Sequence, residues 1–262
     1  MQILNKITKI LFRRKFLEDL LFCIFGAGVG FLSGFFGIGG GGVVVPVMML
    51  FGFDIKFAIG ISIIQMVFSS VYGSYINFKN KMFDPKTAFI LGFGGLVGAS
   101  FSGIIVETLS SKTLLFMLGF LQIFNIIKLF LSEPTPKGKT NDSKIILFIL
   151  GVFTGAFAIS VGIGGSILIM PILIGFLNYD IKKAVSTGLF FVIFSSISGF
   201  ISLSMKGFVN YELGILIGIG SLFGVSFGVK LAKSIDRKKQ KIALICLCVI
   251  LFAITLKKII LD

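Results

Sequence analysis

The sequence predicts an all-α integral membrane protein made of two homologous repeats, each with four apolar helical segments. The chain is 56% hydrophobic with a mean hydropathy of +1.06, and only 14% of its residues are charged. This is too little polar surface to cover a soluble globule. Most of the long apolar stretches also contain the roughly 20 residues that a helix needs to cross the hydrocarbon core. The third observation is an internal repeat, described below.

Eight apolar stretches follow one another along the chain: 17–53, 57–77, 87–106, 113–132, 145–177, 184–205, 213–232 and 242–256. The chain therefore divides into a basic N-terminal segment (1–16), a first membrane repeat (17–131), a polar connector (132–143) and a second membrane repeat (144–262). The net charge of +14 lies mainly in the connections. We interpret these basic residues as topology signals that also contact anionic lipid. We therefore expect the partner to be the lipid bilayer rather than nucleic acid.

The repeat is clearest in two glycine-rich stretches, GFFGIGGGGVVVP (34–46) and ISVGIGGSILIMP (159–171). In this alignment Gly37, Gly39, Gly40 and Pro46 match Gly162, Gly164, Gly165 and Pro171. After one inserted residue, the segment Asp54-Ile55-Lys56 matches Asp180-Ile181-Lys182, and this register continues through both halves. The first segment of each repeat is therefore broken by a glycine-rich loop.

The prolines predict where each broken segment becomes helical again. A residue before proline avoids the helical region and proline favours the first helical position, so about nine unwound residues are expected from near Gly37 or Gly162. Val45 and Met170 should then be extended, and Pro46 and Pro171 should begin short helices. Helix starts present free N–H groups with a partial positive charge, and unwound backbone survives at membrane depth only in a protein-lined site. This predicts an anion site built of backbone.

The candidate substrate-binding residues lie in these loops and on the helices that follow them. The loop candidates are Gly37, Gly39, Gly40, Gly41, Gly42, Pro46, Gly162, Gly164, Gly165, Ser166 and Pro171. The helix candidates supply hydroxyl or amide donors: Ser69, Ser70, Ser195, Ser196 and Gln65. The absence of Asp and Glu well inside the spans favours an anion over a cation. Membrane serines also bond to their own helix carbonyls, so the role of these four stays open.

Other glycines are spaced four residues apart, and such spacing is typical of closely packed membrane helices. These are Gly26, Gly30 and Gly34 in the first half, and Gly220, Gly224 and Gly228 in the second. We predict packing rather than binding for them.

Composition also bears on chemistry. The chain has no histidine, and Cys23, Cys246 and Cys248 lie inside apolar segments. We therefore predict no metal site, no cofactor and no enzymatic activity, because an intramembrane enzyme needs a nucleophile with a base or a bound metal.

At these residues the chain resembles the TauE/SafE family of sulfite and organosulfonate exporters. The resemblance lies in the pattern from Gly26 through Gly30, Gly37 and Gly39 to Pro46, and in its echo from Gly162 to Pro171. It implies a bacterial inner-membrane permease that exports sulfite, sulfoacetate or related organosulfonates. One departure is Ser166, which stands where the first loop has Gly41. A passive anion channel and a non-transporting accessory subunit stay open as alternatives, as does a homo-oligomer.

Two topologies are compatible with the sequence. Single crossings would make the halves parallel, whereas re-entrant hairpins would make them inverted. We favour hairpins, because residues 17–53 as one helix would be about 55 Å long against a hydrocarbon core of about 30 Å. The lysine and arginine distribution gives the same inside excess for both arrangements.

Overall fold

The computed structural model describes residues 2–131, 140 and 143–261, with side chains from residue 17 onward. The described residues form helices without any strand. The helices are α1 (Gln2–Phe36), α2 (Gly41–Leu50), α3 (Ile55–Lys79), α4 (Pro85–Ala99), α5 (Ser102–Thr108), α6 (Ser111–Leu131), α7 (Lys144–Ser160), α8 (Ser166–Gly175), α9 (Ile181–Met205), α10 (Tyr211–Ser234) and α11 (Arg237–Leu261). Most of the predicted connector 132–143 lies outside the described residues.

The predicted class of helical membrane protein is confirmed. Seven described stretches are long and apolar enough to cross a membrane: 17–36, 55–79, 85–108, 111–131, 181–205, 211–234 and 237–261. Helices α4 and α5 share one of these stretches, and α2, α7 and α8 are shorter apolar helices. Large apolar side chains cover the outside of the bundle, such as Phe120, which is 68% exposed, and Phe130, which is 70% exposed. Such a surface is stable in lipid.

The expected position of the helix restarts is wrong. The breaks span only residues 37–40 and 161–165, and α2 and α8 begin at Gly41 and Ser166. Val45 and Met170 are helical rather than extended, and Pro46 and Pro171 lie inside the short helices. A proline inside a helix removes one backbone hydrogen bond, and here the glycine-rich turn decides where the helix begins.

Aspartates start the two helices that carry the candidate donors. The Asp54 carboxylate accepts the Lys56 N–H (2.9 Å) at the start of α3, and the Asp180 carboxylate accepts the Lys182 N–H (2.9 Å) at the start of α9. Such caps satisfy free donors of the first turn. The repeated Asp-Ile-Lys motif therefore places α3 and α9 in the same way in each half of the sequence.

Close glycine packing joins α1 to α10, as predicted. A Cβ atom on Gly26 would overlap the carbonyl group of Ile217, and one on Gly34 would lie against the carbonyl oxygen of Val225. The residue numbers of the contacting positions increase together on both helices, so α1 and α10 run in the same direction. Other glycines that leave no room for a side chain in this pair are Gly30, Gly220, Gly224 and Gly228.

Helices α4 and α7 form a second pair of the same kind. A Cβ atom on Gly94 would overlap the carbonyl oxygen of Phe148, and one on Gly98 that of Val152. These contacts also advance together, so α4 and α7 are parallel. Each broken segment is therefore held by a helix from the other half of the sequence.

We expect Gly224→Val to prevent stable folding. Its Cβ would overlap the Ala27 carbonyl oxygen, and backbone cannot move aside as a side chain can. The cost should reach about 3 kcal/mol or more, the upper range for overpacking. Thermal unfolding of the purified protein measures it. Gly28→Val is the matched control, because Gly28 lies on α1 with no atom within 4 Å of its Cβ position. Equal melting temperatures for the two variants would contradict the packing assignment.

Polar contacts mark the two ends of the bundle. At one end, which we call the Asn80 end, Lys233 Nζ donates to Asn80 Oδ1 (3.1 Å) and Arg237 pairs with Asp180 (2.7 Å).

At the opposite end, which we call the Glu107 end, Lys206 pairs with Glu107 and the Ser111 hydroxyl donates to Asp54 (2.8 Å). Both ends are partly exposed, whereas the middle of the bundle is buried.

Candidate functional site

The two glycine-rich loops meet in the middle of the bundle. The Gly162 carbonyl oxygen lies directly against Gly41, at the start of α2. The Ile38 carbonyl oxygen lies 3.3 Å from the Cβ position of Gly164. Both loops are fully buried, so the starts of α2 and α8 lie inside the bundle and close together.

The turn into each short helix needs glycine. Gly40 (φ 88°) and Gly165 (φ 76°) precede α2 and α8 in the left-handed conformation, which costs glycine little. This conformation turns the chain sharply, so the helix axes start inside the bundle rather than continuing from α1 and α7.

Several amide N–H groups at this junction are free. Among the residues that the structure describes, the N–H groups of 38–42 and 164–167 have no hydrogen-bond acceptor. The N–H groups of Gly37 and Gly162, by contrast, donate to Ser33 (2.8 Å) and Ile159 (2.9 Å) and end the preceding helices. The free donors are therefore those of the turn and the first helical residues.

A buried amide lies over the first loop. The Gln65 side chain is 0% exposed, and neither of its amide atoms has a partner among the described residues. A Cβ atom on Gly40 would lie 2.5 Å from Gln65 Oε1. In the register of the repeat, Phe191 takes the place of Gln65 and lies against Gly165 in the same way. The junction is therefore polar at the first loop and aromatic at the second.

Two residues that the sequence reasoning missed complete the junction. The Met66 sulfur lies beside both loops, 2.6 Å from the Cβ position of Gly41 and closer still to that of Gly164. The Ser62 hydroxyl donates to the carbonyl oxygens of Ile59 (2.9 Å) and Gly162 (3.1 Å). The helical spacing of Ser62 and Ser69 on one face of α3 is a signal for Ser62, whereas Met66 is apolar among apolar residues and has none.

The predicted hydroxyls divide into two groups. Ser69 donates to the Gly39 carbonyl (2.8 Å) and thereby holds the first loop, and the buried Ser166 hydroxyl has no partner in the described chain. Ser70, Ser195 and Ser196 bond to carbonyls of their own helices, at 3.3–3.4 Å.

The remaining candidates lie further along the short helices. Gly42 is in the first turn of α2, where a Cβ would meet Ile167 of α8. Pro46 and Pro171 follow about one turn later and, without an N–H group, cannot donate.

The junction carries no charge of its own. Within the described chain, every buried polar side chain is a serine, threonine, asparagine or glutamine. The described residues also contain no group of His, Cys, Asp or Glu that could hold a metal ion. The chemistry available is therefore hydrogen-bond donation and the partial positive charge of two helix starts.

Comparisons with known proteins agree with one another. The model of the family described as sulfite exporter TauE/SafE matches residues 22–255. A probable membrane transporter protein of Methanocaldococcus jannaschii is 31% identical over 86% of this chain and 90% of its own length. Similar proteins with the same description occur in Bacillus subtilis (28% identical, 82% of this chain and 91% of the relative) and Haemophilus influenzae (27%, 75% and 80%). No solved structure matches the chain.

Proposed function

Because the chain belongs to the sulfite exporter TauE/SafE family and is a multi-pass membrane transporter, we propose that it exports a small sulfur-containing anion. The proposed substrates are sulfite, sulfoacetate and related organosulfonates, and the proposed location is a bacterial inner membrane. The anion would bind where the starts of α2 and α8 meet.

One observation carries this proposal: the free N–H groups of both loops meet at one buried junction, where the unpartnered amide of Gln65 lies against the first loop. A buried donor without an acceptor costs about 1–3 kcal/mol. Several such donors in one place indicate a ligand with several acceptor oxygens. A sulfite or sulfonate group has three oxygens and a negative charge, so it would satisfy these donors and the helix dipoles together.

The lining also favours an anion. A cation path normally contains carboxylates inside the membrane, whereas all buried polar side chains of the described chain are neutral here. The Ser166 hydroxyl would add a further donor at the second loop.

Helix directions support inverted halves. Helices α3 and α9 correspond in the repeat, and they run in opposite directions, because Gly73 contacts Leu189 while Gly199 contacts Ile63. Inversion would point the two glycine loops at each other from opposite sides of the membrane, as in other transporters with inverted repeats.

A hairpin shape supports the re-entrant arrangement. The Phe51 ring, just after α2, lies 6.0 Å from the Phe22 ring, near the start of the apolar part of α1. Helix α2 therefore returns toward the side from which α1 comes. We propose that each broken segment enters and leaves on one face of the membrane, so that only three further crossings complete each half.

Flux measurements test the proposed function. Labelled sulfite, sulfoacetate, thiosulfate, sulfate and chloride are offered to proteoliposomes of the purified protein under a potential of either sign. We expect saturable flux of a sulfur anion that follows the potential, since a potential of 100 mV contributes about 2.3 kcal/mol per charge. Flux that does not saturate and shows no counterflow would indicate a channel. The absence of flux for all five anions would favour an accessory subunit.

A further inference from the structure

A narrow polar cleft opens at the Asn80 end, between α1, α3, α9, α10 and α11. Its polar lining consists of Asn77, Asn80, Lys182, Ser186, Lys233 and Gln240. The cleft has a volume of about 10 Å³, which is room for about one water. An anion therefore passes it only when its walls move apart.

The lining is suited to an anion. Lys182 Nζ donates to the Lys233 carbonyl (2.7 Å), and Lys233 Nζ donates to Asn80 (3.1 Å), so both ammonium groups are held at the mouth. Deeper inside, the Asn77 side chain is 3% exposed and lines the cleft, where its amide N–H groups are of the type that donates to an anion.

The cleft ends beside the first glycine loop. Val185 lies in the wall of the cleft, and its carbonyl oxygen also lies directly against Gly37. Val185 therefore contacts both the cleft and the loop that presents the free N–H groups.

The corresponding place at the Glu107 end is closed by an ion pair. In the register of the repeat, Asn80 corresponds to Lys206 and Lys233 corresponds to Glu107. The hydrogen bond from Lys233 to Asn80 at the mouth of the cleft is therefore replaced by the ion pair between Lys206 and Glu107.

Close packing also closes this corresponding place. Gly60 corresponds to Ser186, and a Cβ atom on Gly60 would overlap the carbonyl oxygen of Phe208. Leu203 corresponds to Asn77 and is 0% exposed. At this corresponding place the two ends thus differ, because one has a polar cleft and the other is closed. A separate pocket of about 420 Å³, lined by Asp54, Ser111 and Lys112 among others, lies elsewhere at the Glu107 end.

We propose that the cleft at the Asn80 end is an entry site for the transported anion, and that the Glu107–Lys206 pair keeps the opposite entry closed in this conformation. The inference rests on the proposed transport function. In the hairpin arrangement the basic-rich connections gather at the Asn80 end, so the positive-inside rule makes this the cytoplasmic entrance, as an exporter requires.

Thiol labelling of two matched positions tests the entry site. Cys23, Cys246 and Cys248 are first replaced by alanine, and Asn77→Cys or Leu203→Cys is then introduced. In permeabilised membranes a small anionic thiosulfonate should modify Asn77→Cys at least tenfold faster than Leu203→Cys. Sulfoacetate should slow the reaction at Asn77→Cys. Equal rates, or a faster reaction at Leu203→Cys, would overturn the proposal.

Breaking the ion pair tests the closed end. Adding Glu107→Gln to Leu203→Cys should raise its labelling rate severalfold, while the rate at Asn77→Cys stays the same or falls. An unchanged rate at Leu203→Cys would refute the role given to the pair. The labelling rates without any added anion do not depend on which substrate is carried. If the entry site is wrong, these rates will not differ as expected. If only the substrate is wrong, the rates will differ as expected but sulfoacetate will not slow the reaction at Asn77→Cys.

Discussion

Replacing Gly39 or Gly164 by valine, one at a time, is expected to abolish transport while folded protein remains in the membrane. A side chain at Gly39 would overlap Val192, and one at Gly164 would overlap the Met66 sulfur. Either would keep an anion from the N–H groups of the loops. The flux through either variant should fall below the detection limit of the assay. The reason is that several hydrogen bonds to a charged group are removed together, and each contributes about 1.5–3 kcal/mol.

Backbone strain needs its own control, because Gly39 and Gly164 both have positive φ. Gly52 also has positive φ, but no atom lies within 4 Å of its Cβ position. Gly52→Val therefore introduces the same kind of backbone strain at a position outside the loops, and this variant should retain transport. Size-exclusion profiles and melting temperatures establish that each variant is folded. Normal flux through both loop variants would refute the binding site.

The variant Gln65→Leu should transport poorly and yet unfold at a higher temperature. The buried amide atoms of Gln65 have no partners, so an apolar side chain of similar size removes a desolvation cost of about 1–3 kcal/mol. In the proposed site, the same change also removes a hydrogen bond from Gln65 to the anion. This should lower the apparent affinity about 10- to 100-fold, since 1.4 kcal/mol corresponds to a factor of ten.

Gln122 offers a matched control for this prediction. It is 6% exposed on α6, which contributes none of the atoms nearest to the loop glycines, and both of its amide atoms also lack partners in the described chain. Gln122→Leu should therefore raise the melting temperature as well, but leave flux unchanged. If Gln65→Leu gave the same result as Gln122→Leu, the amide of Gln65 would have no role in transport.

The spans could be predicted from sequence because apolar length alone identifies them. The close packing of glycines could also be predicted, since spacing such as that of Gly220, Gly224 and Gly228 has few other causes. The helix restarts could not, because the preference of proline for a first turn is statistical. Pro46 and Pro171 are instead held inside helices whose starts are set by the left-handed Gly40 and Gly165.

The junction of the two loops could be predicted only in outline. Gln65 could be predicted as a candidate because it is an amide in an apolar segment. Met66 beside it is apolar among apolar residues and gives no signal. That Met66 lies between the two loops depends on how α3 packs against both halves, which no local pattern contains.

The pairing of α1 with α10 sets an order for synthesis. When the ribosome releases α1 into the bilayer, the helix whose backbone it must touch has not yet been made. The glycine face of α1 therefore stays exposed to lipid until α10 is synthesised, near the end of the chain. Helix α4 waits for a shorter time, because α7 comes soon after it. We therefore expect the first broken segment to be the last part of the molecule to reach its final packing.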